Sequence, residues 1–129
     1  MMRKPTSNEE AVLKKIRGKK AMFHVTKTIL EKSIQDANKD IRDLLCETEL
    51  LDYDLLGNGE KKILKGRFKG RRESNVTITC YKSKTRGDKR IWFKGIKDIA
   101  EPNDMMALGI YSSKDNLFKT ITIHNLTRG

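Results

Sequence analysis

The sequence lacks the features that define several common protein classes. Its 129 residues include only two cysteines, Cys46 and Cys80, which lie far apart and form no Cys-x-x-Cys pair. A disulfide framework and a four-cysteine zinc site both need more cysteines, so we expect a reducing, cytoplasmic compartment. No run of about 18 apolar residues is present, which excludes a membrane-spanning helix. The first residues lead into no apolar stretch, so we expect no secretory signal.

Motifs for several catalytic chemistries are missing as well. The sequence contains no Gly-rich phosphate loop, no Ser/His/Asp arrangement and no internal repeat. Its two histidines, His24 and His124, are isolated, and no tight ligand spacing joins them to either cysteine. We therefore interpret them as ordinary strand residues and predict neither a metal nor a cofactor.

The length and composition predict one folded domain. A chain of 129 residues suits a single modest core, and a hydrophobic content of 36% is enough to form one. A helical signal early in the chain, followed by many short strands, favours an α+β, mainly β fold with one or two short helices. We expect a flexible arm at residues 1–10, the domain at 11–126 and a tail at 127–129.

The first third of the chain predicts two short strands and a helix. The strands are expected at residues 11–16 and 21–25. Residues 28–31 match a capping box, in which a Thr hydroxyl and a Glu side chain satisfy the first amides of a helix. The apolar stripe of this helix consists of Leu30, Ile34, Ala37 and Ile41. Asn38 is a candidate break within it.

Strand signals dominate the remainder of the chain. The Gly-Asn-Gly sequence at residues 57–59 is a strong turn signal, because each residue tolerates a positive φ. Apolar and polar residues alternate over 76–81, which predicts a half-buried strand, and residues 91–93 predict another. A late hairpin is predicted over 108–123, with its turn at 112–116.

The charge is strongly positive and unevenly distributed. There are 28 basic and 17 acidic residues, for a net charge of +11, yet residues 31–60 carry a net charge of −6. Three basic clusters occupy residues 14–20, 61–72 and 82–90. Clustered charges of one sign repel each other unless a polyanion is bound, which favours nucleic acid as the partner. The alternative is a solvated surface; a membrane fits poorly, because no cluster lies on an amphipathic helix with an aromatic face.

The third basic cluster is the most informative segment. Its flanking strands predict a protruding two-stranded ribbon, a shape that fits the major groove of B-form DNA. Arg and Lys side chains can pair there with guanine, Asp88 can accept from cytosine, and the methyl group of Thr85 can contact thymine. The alternative is a solvated hairpin in which Asp88 pairs with Arg86 or Arg90.

The sequence SKTRGDKRIWFKG, at residues 83–95, resembles the recognition ribbon of the B3-like DNA-binding domains of bacterial restriction enzymes. A weaker resemblance extends over residues 11–126, through a strand-then-helix entry at 23–32 and closing strands at 103–111 and 121–123. It implies a B3-like pseudobarrel of about seven strands. Such a domain grips duplex DNA between two arms and leaves cleavage to another domain or subunit.

The resemblance implies two arms in this chain. The ribbon arm comprises Lys82, Ser83, Lys84, Thr85, Arg86, Asp88, Lys89 and Arg90. The first arm comprises Arg17, Gly18, Lys19 and Lys20. Candidates for salt-dependent phosphate contacts are Lys14, Lys15, Lys65, Arg67 and Lys69.

These residues predict a non-catalytic module that binds double-stranded DNA at specific sites. It would be the target-recognition part of a bacterial restriction system, fused to or associated with a nuclease or NTPase part. One alternative is a small Mg²⁺-dependent nuclease, in which Asp54 and Glu60 hold the metal and Lys62 positions the attacking water. Another is a generic RNA-binding barrel. The cluster at 61–72 has its own alternative, an edge strand whose lysines prevent aggregation.

Overall fold

The fold is α+β and mainly β. The computed structural model describes residues 2–115 and 117–128. In these ranges the helices are α1 (Ser7–Lys14), α2 (Lys27–Lys32), α3 (Lys39–Glu47) and α4 (Ile96–Ile99), with a 3-10 helix at Tyr53–Leu55. The strands are β1 (Lys19–His24), β2 (Lys61–Phe68), β3 (Ser74–Lys82), β4 (Lys89–Phe93), β5 (Met105–Ser112) and β6 (Lys119–Asn125). No helix in the described ranges has the length and apolar character needed to cross a membrane.

The six strands form one curled sheet in the order β1-β5-β6-β2-β3-β4. Neighbouring strands are antiparallel, except for β6 and β2, which run parallel and pair at Arg67–Thr122 and the next position. The curl brings the two edge strands together. The ring of Phe23 on β1 stacks on the ring of Phe93 on β4, with centroids 4.8 Å apart. The sheet is therefore a half-barrel with its edges facing each other.

The segment between α2 and α3 closes the gap between β4 and β1. Residues 35–37 exchange two backbone hydrogen bonds of 3.0 Å with Lys89 and Ile91 of β4. The side-chain amide of Asn38 then donates to the carbonyl of Met22 on β1, at 3.0 Å. Both edge strands therefore gain hydrogen bonds from this segment, β4 along its backbone and β1 at Met22.

The main core lies inside the curl. Alternate residues of β3 (Val76, Ile78 and Cys80) are buried there, as the alternation predicts. The residues that α3 adds to this core are Ile41, Leu44 and Leu45. A second, smaller cluster lies on the outer face of the sheet, where α1 packs on β5. Its members are Val12, Leu13, Ile16, Met22, Met105, Ala107 and Leu126.

The expectations for the N-terminal residues were wrong. Residues 11–14 belong to α1, which begins at Ser7 inside the segment expected to be a flexible arm. The Thr6 hydroxyl accepts from the Glu9 amide at 3.1 Å, and the Glu9 carboxylate accepts from the Thr6 amide at 2.9 Å. This reciprocal capping box starts the helix, and packing on β5 stabilises it. The described residues hold six strands, which is compatible with the expected number of about seven, and four α-helices rather than one or two.

The single helix predicted from the apolar stripe is instead two helices. The N-caps are Thr26 for α2 and Asn38 for α3, so the capping box at Thr28 is wrong and Asn38 is a true break. Ser33 adopts the left-handed conformation (φ 55°) and ends α2. The intervening residues are extended because they pair with β4, a contact more than 50 residues away in sequence.

The predictions for the later strands are confirmed. The structure contains β3 and β4 where the strand at 76–81 and the strand at 91–93 were expected, and a turn at residues 57–59. The late hairpin is β5–β6. Part of its predicted turn, Asn116, lies outside the described residues.

A buried polar network ties the first residues to the last. Arg3 makes two hydrogen bonds of 2.7 Å to the carboxylate of Glu9, which also accepts from the Thr127 hydroxyl. Nearby, the buried carboxylate of Asp104 accepts from Arg128 at 2.8 Å. The hydrogen bonds from Arg3, followed by those from Thr127 and Thr6, outweigh burial and lower the pKa of Glu9 to about 2. Thr127 and Arg128, expected in a tail, are thus bonded to the domain.

We predict that Glu9→Gln lowers the free energy of unfolding by about 3 kcal/mol at pH 7, since each pKa unit is worth about 1.4 kcal/mol. The folded pKa lies below the ordinary value of 4.5. The stabilisation is therefore complete above pH 4.5 and is lost as the pH falls through about 2. Urea unfolding between pH 7 and 2.5 measures this difference.

The matched control is Glu10→Gln, which removes the same charge from an exposed neighbour on α1. We expect this control to change stability by less than about 0.5 kcal/mol. Equal stability of the two variants at pH 7 would show that Glu9 does not anchor the network.

Candidate nucleic-acid interface

The strand directions place both predicted arms at the same end of the sheet. Both β1 and β6 are antiparallel to β5, so β1 and β6 begin at the same end of the sheet. Strand β2 is parallel to β6 and begins at that end too. The antiparallel pairing of β2 with β3, and of β3 with β4, brings the loop at 83–88 to that end. The first arm, which leads into β1, therefore shares a rim with the ribbon.

The ribbon is a short, closed loop at the tip of the β3–β4 hairpin. The Ser83 amide donates to the Asp88 carbonyl at 3.0 Å, and the Gly87 amide donates to the Ser83 carbonyl at 3.1 Å. The Ser83 hydroxyl accepts from the Asp88 amide at 2.9 Å. Gly87 has φ 70°, which a glycine adopts without strain. These bonds present Lys84, Thr85 and Arg86 to solvent, and the Arg86 side chain is 81% exposed.

The cations at the base of the ribbon bind other parts of the protein. The Lys82 ammonium donates to the Leu56 carbonyl at 2.7 Å. Lys89 pairs with Asp54 at 2.8 Å, and this hydrogen bond lowers the pKa of Asp54. These contacts dock the loop onto the chain segment that precedes β2. They hold the exposed tip in place and leave the basal lysines less free to bind a ligand.

Asp88 forms the pairs that the solvated-hairpin alternative predicts. Its carboxylate lies 3.1 Å from Arg90 and 3.9 Å from Arg86. A carboxylate between two guanidinium groups orients them, so within the free protein Asp88 acts on the arginines of its own loop.

The first arm is short and packed against β5. The Arg17 guanidinium lies 4.5 Å above the ring of Tyr111, a cation–π contact. Lys19 pairs with Glu47 at 3.5 Å, whereas Lys20 donates to two carbonyls at the end of α1. Gly18 has φ 87° and leaves only 2.4 Å between an added Cβ and the Ile110 carbonyl, so no larger residue fits. Arg17 and Lys19 are thus the charges that this arm presents.

Acidic residues lie between the two arms. The C-terminal end of α3 reaches this rim, where Thr48 accepts from the Lys119 ammonium, and the following segment crosses it to Asp54. This is the second half of the acidic stretch found in the sequence. The local positive charge at the rim is consequently smaller than the basic clusters alone indicate.

The candidate phosphate contacts occupy a different surface. Lys14 and Lys15 are exposed at the end of α1. Alternation along β2 directs Lys65 and Arg67 to the outer face, because Leu64 is buried and an added Cβ at Gly66 would lie 2.8 Å from Ile123 in the core. Arg67 and Lys69 both pair with Glu73 in the turn to β3, and these hydrogen bonds lower the pKa of Glu73.

The edge-strand alternative for residues 61–72 is partly supported. β2 pairs with β3 along its whole length, but with β6 only at its last two residues among those described. The opposite edge of residues 61–66 therefore has no described strand next to it, and Lys61, Lys62 and Lys65 lie along this stretch, as that alternative expects.

The three side chains that the nuclease alternative assigns to metal binding and catalysis make other contacts in the structure. Asp54 binds Lys89, the Glu60 carboxylate accepts from the Gly57 amide at 2.6 Å, and Lys62 donates to the Leu50 carbonyl at 2.6 Å. No group of three or more His, Cys, Asp or Glu residues placed to hold a metal ion occurs within residues 2–115 and 117–128. The geometry therefore lends no support to this alternative.

Both histidines lie on strands, as the strand interpretation expects. His24 bonds Asn103 at 2.7 Å at the end of β1. Burial raises the pKa of the Cys80 thiol to about 11, so it is a neutral core side chain. Cys46 is exposed on α3.

Tyr111 is the residue that the sequence reasoning missed. Its position at the end of a strand indicates a surface aromatic, but its contact with Arg17 joins residues 94 positions apart.

Comparison with protein-family models, curated proteins and solved structures finds no match for the chain. The ribbon sequence and the geometry of the rim are therefore the features that bear on function.

We predict that Ser83→Ala loosens the ribbon without unfolding the domain, because the Asp88 amide loses its acceptor inside the loop. The expected loss of stability is about 1 kcal/mol. Hydrogen exchange should accelerate at Gly87 and Asp88 and stay unchanged in β5. Thr85→Ala, an exposed position in the same loop, is the control; the same acceleration in both variants would argue against the Ser83 cap.

Proposed function

We propose that the protein is a B3-like module that binds double-stranded DNA at specific sites, as the recognition part of a restriction system whose cleavage lies in another domain or subunit. One observation carries the proposal: the strand directions bring the two basic arms to a single rim of a curled half-barrel. Two arms on one rim can hold a duplex between them, and one of them is a narrow hairpin of the width that a major groove admits.

The tip of the ribbon is the part that we assign to base recognition. Lys84, Thr85 and Arg86 are exposed, while the bonds of Ser83 and the basal lysines fix the loop beneath them. A fixed loop loses little conformational entropy on binding, which favours specific contacts. Arg17 and Lys19 on the first arm would position the duplex through its phosphates.

The acids at the rim support a specific rather than a general mode of binding. Asp54 and Glu47 already pair with cations of the two arms. Phosphates must compete with these carboxylates, which weakens sequence-independent attraction. Contacts from the loop tip to base edges are not subject to this competition. The ratio between the affinities for a specific and a non-specific duplex therefore increases.

We predict that Arg86→Ala reduces the preference of the protein among duplex sequences, by about 1–3 kcal/mol at the recognised base pair. Fluorescence anisotropy with a selected duplex and a scrambled duplex measures this preference. Lys65→Ala, on the outer face, should instead weaken both duplexes alike and lower the salt slope by about one. If Arg86→Ala weakened both duplexes equally, the base-recognition assignment would be wrong.

We predict that Asp54→Asn strengthens binding to every duplex, because Lys89 is released to contact phosphate. The slope of log affinity against log salt should become steeper by about one. Asp98→Asn removes the same charge from an exposed site on α4 and serves as the control. Identical effects of the two substitutions would mean that only net charge matters and that the Asp54–Lys89 pair does not limit binding.

A further inference from the structure

A groove of about 420 Å³ lies on the outer face of the sheet, next to the rim. It runs from the loop after α1, across β5 and β6, to the residue that follows β2. Its side chains include Lys15, Arg17, Lys69, Tyr111, Thr122 and His124. The groove thus joins the first and second basic clusters, which lie some 50 residues apart in the sequence.

Close backbone packing builds this groove. An added Cβ at Gly109 would lie 3.0 Å from Ile16 and 2.8 Å from the Thr122 hydroxyl, so a glycine lets the loop after α1 rest directly on β5. That placement sets Arg17 over Tyr111 on one side of the groove. On the other side, the Lys69 amide donates to the Ile123 carbonyl at 2.9 Å, which holds Lys69 beside β6.

The groove is positive and has few acids of its own. Among the described residues, no salt bridge includes Lys15 or Arg17, and Lys69 shares the single carboxylate of Glu73 with Arg67. Lys20 flanks the groove, with its ammonium held by the carbonyls of Leu13 and Ile16.

The pKa of His124 is sensitive to the positive charges around the groove. Burial, and then repulsion from Lys69 and Lys20, lower the pKa of this histidine, whose Nε2 lies 2.8 Å from the Thr122 hydroxyl. The imidazole is therefore neutral near pH 7, and it can donate or accept a hydrogen bond without adding charge. An anion placed among these lysines would relieve their mutual repulsion.

We propose that this groove binds a phosphate group of the DNA backbone, with Lys15 and Lys69 facing the phosphate oxygens and the Arg17–Tyr111 pair supporting the adjoining sugar. The assignment rests on the proposed function and extends it. Arg17 also lines the rim pocket that contains Lys19, so the groove continues the path of the first arm onto the outer face. A strand held at the rim therefore has a second phosphate site along the same backbone.

The test is the double variant Lys15→Gln/Lys69→Gln, measured by anisotropy with a selected and a scrambled 20-base-pair duplex over a range of salt concentrations. We expect weaker binding of both duplexes, a salt slope lower by about two, and an unchanged ratio between the two affinities. The matched control is Lys32→Gln/Lys97→Gln, which removes two exposed lysines of α2 and α4 and should leave the slope near that of the wild type. Equal slopes for the two double variants would overturn the groove assignment.

A second measurement separates the groove from the proposed function. The pKa of His124, followed by NMR, should rise when the wild type binds a duplex or inorganic phosphate, because the anion offsets the charges of Lys69, Lys20, Lys15 and Arg17. This rise should be absent in Lys15→Gln/Lys69→Gln. A rise with inorganic phosphate but no duplex binding would support the phosphate site and refute the proposed function. If the pKa of His124 rose with neither probe, the phosphate site would be refuted. If the protein bound a duplex sequence-specifically without that rise, the site would be refuted and the proposed function would be supported.

Discussion

Closure of the curled sheet determines how its two ends come together. The edges of β1 and β4 gain hydrogen bonds from residues 35–38, which bond to the backbone of β4 and to the Met22 carbonyl of β1. The stacked rings of Phe23 and Phe93 fill the space between the edges. Closure brings the beginning of β1 toward the beginning of β4, so the two basic arms face the same side of the protein.

Carboxylates pair with cations of both arms at the rim, whereas part of the outer face carries cations without such partners. At the rim, carboxylates from residues 47–60 pair with Lys19 and Lys89, and the loop tip with Arg86 remains exposed. On the outer face, Lys15 and Arg17 lie in a groove without a carboxylate partner among the described residues. Under the proposed function, this division would serve two modes of DNA contact. Unpaired cations supply affinity for any backbone, whereas a fixed and partly neutralised loop favours discrimination between bases.

Local signals in the sequence predicted the strands well, and contacts between distant residues account for most of what they missed. Alternation identified Val76, Ile78 and Cys80 as the inner face of β3. The apolar stripe at Leu30, Ile34 and Ala37 was misleading, because residues 34–37 satisfy a helical spacing but are held extended by β4. The capping box at Thr6 was missed because the polar residues around it indicated a flexible arm. For the candidate site, the sequence indicates which basic residues lie on the two arms but not their partners, since Lys89 and Asp54, or Arg17 and Tyr111, meet only through the tertiary fold.

Selection of bound molecules from a library of random duplexes would show whether the exposed loop tip on the shared rim reads the sequence of duplex DNA, since the selection assumes nothing about the target. We expect the wild-type protein to enrich a single motif. Recovery of duplexes with no shared motif, despite firm binding, would overturn base recognition by the loop tip and would leave the protein as a general binder of polyanions.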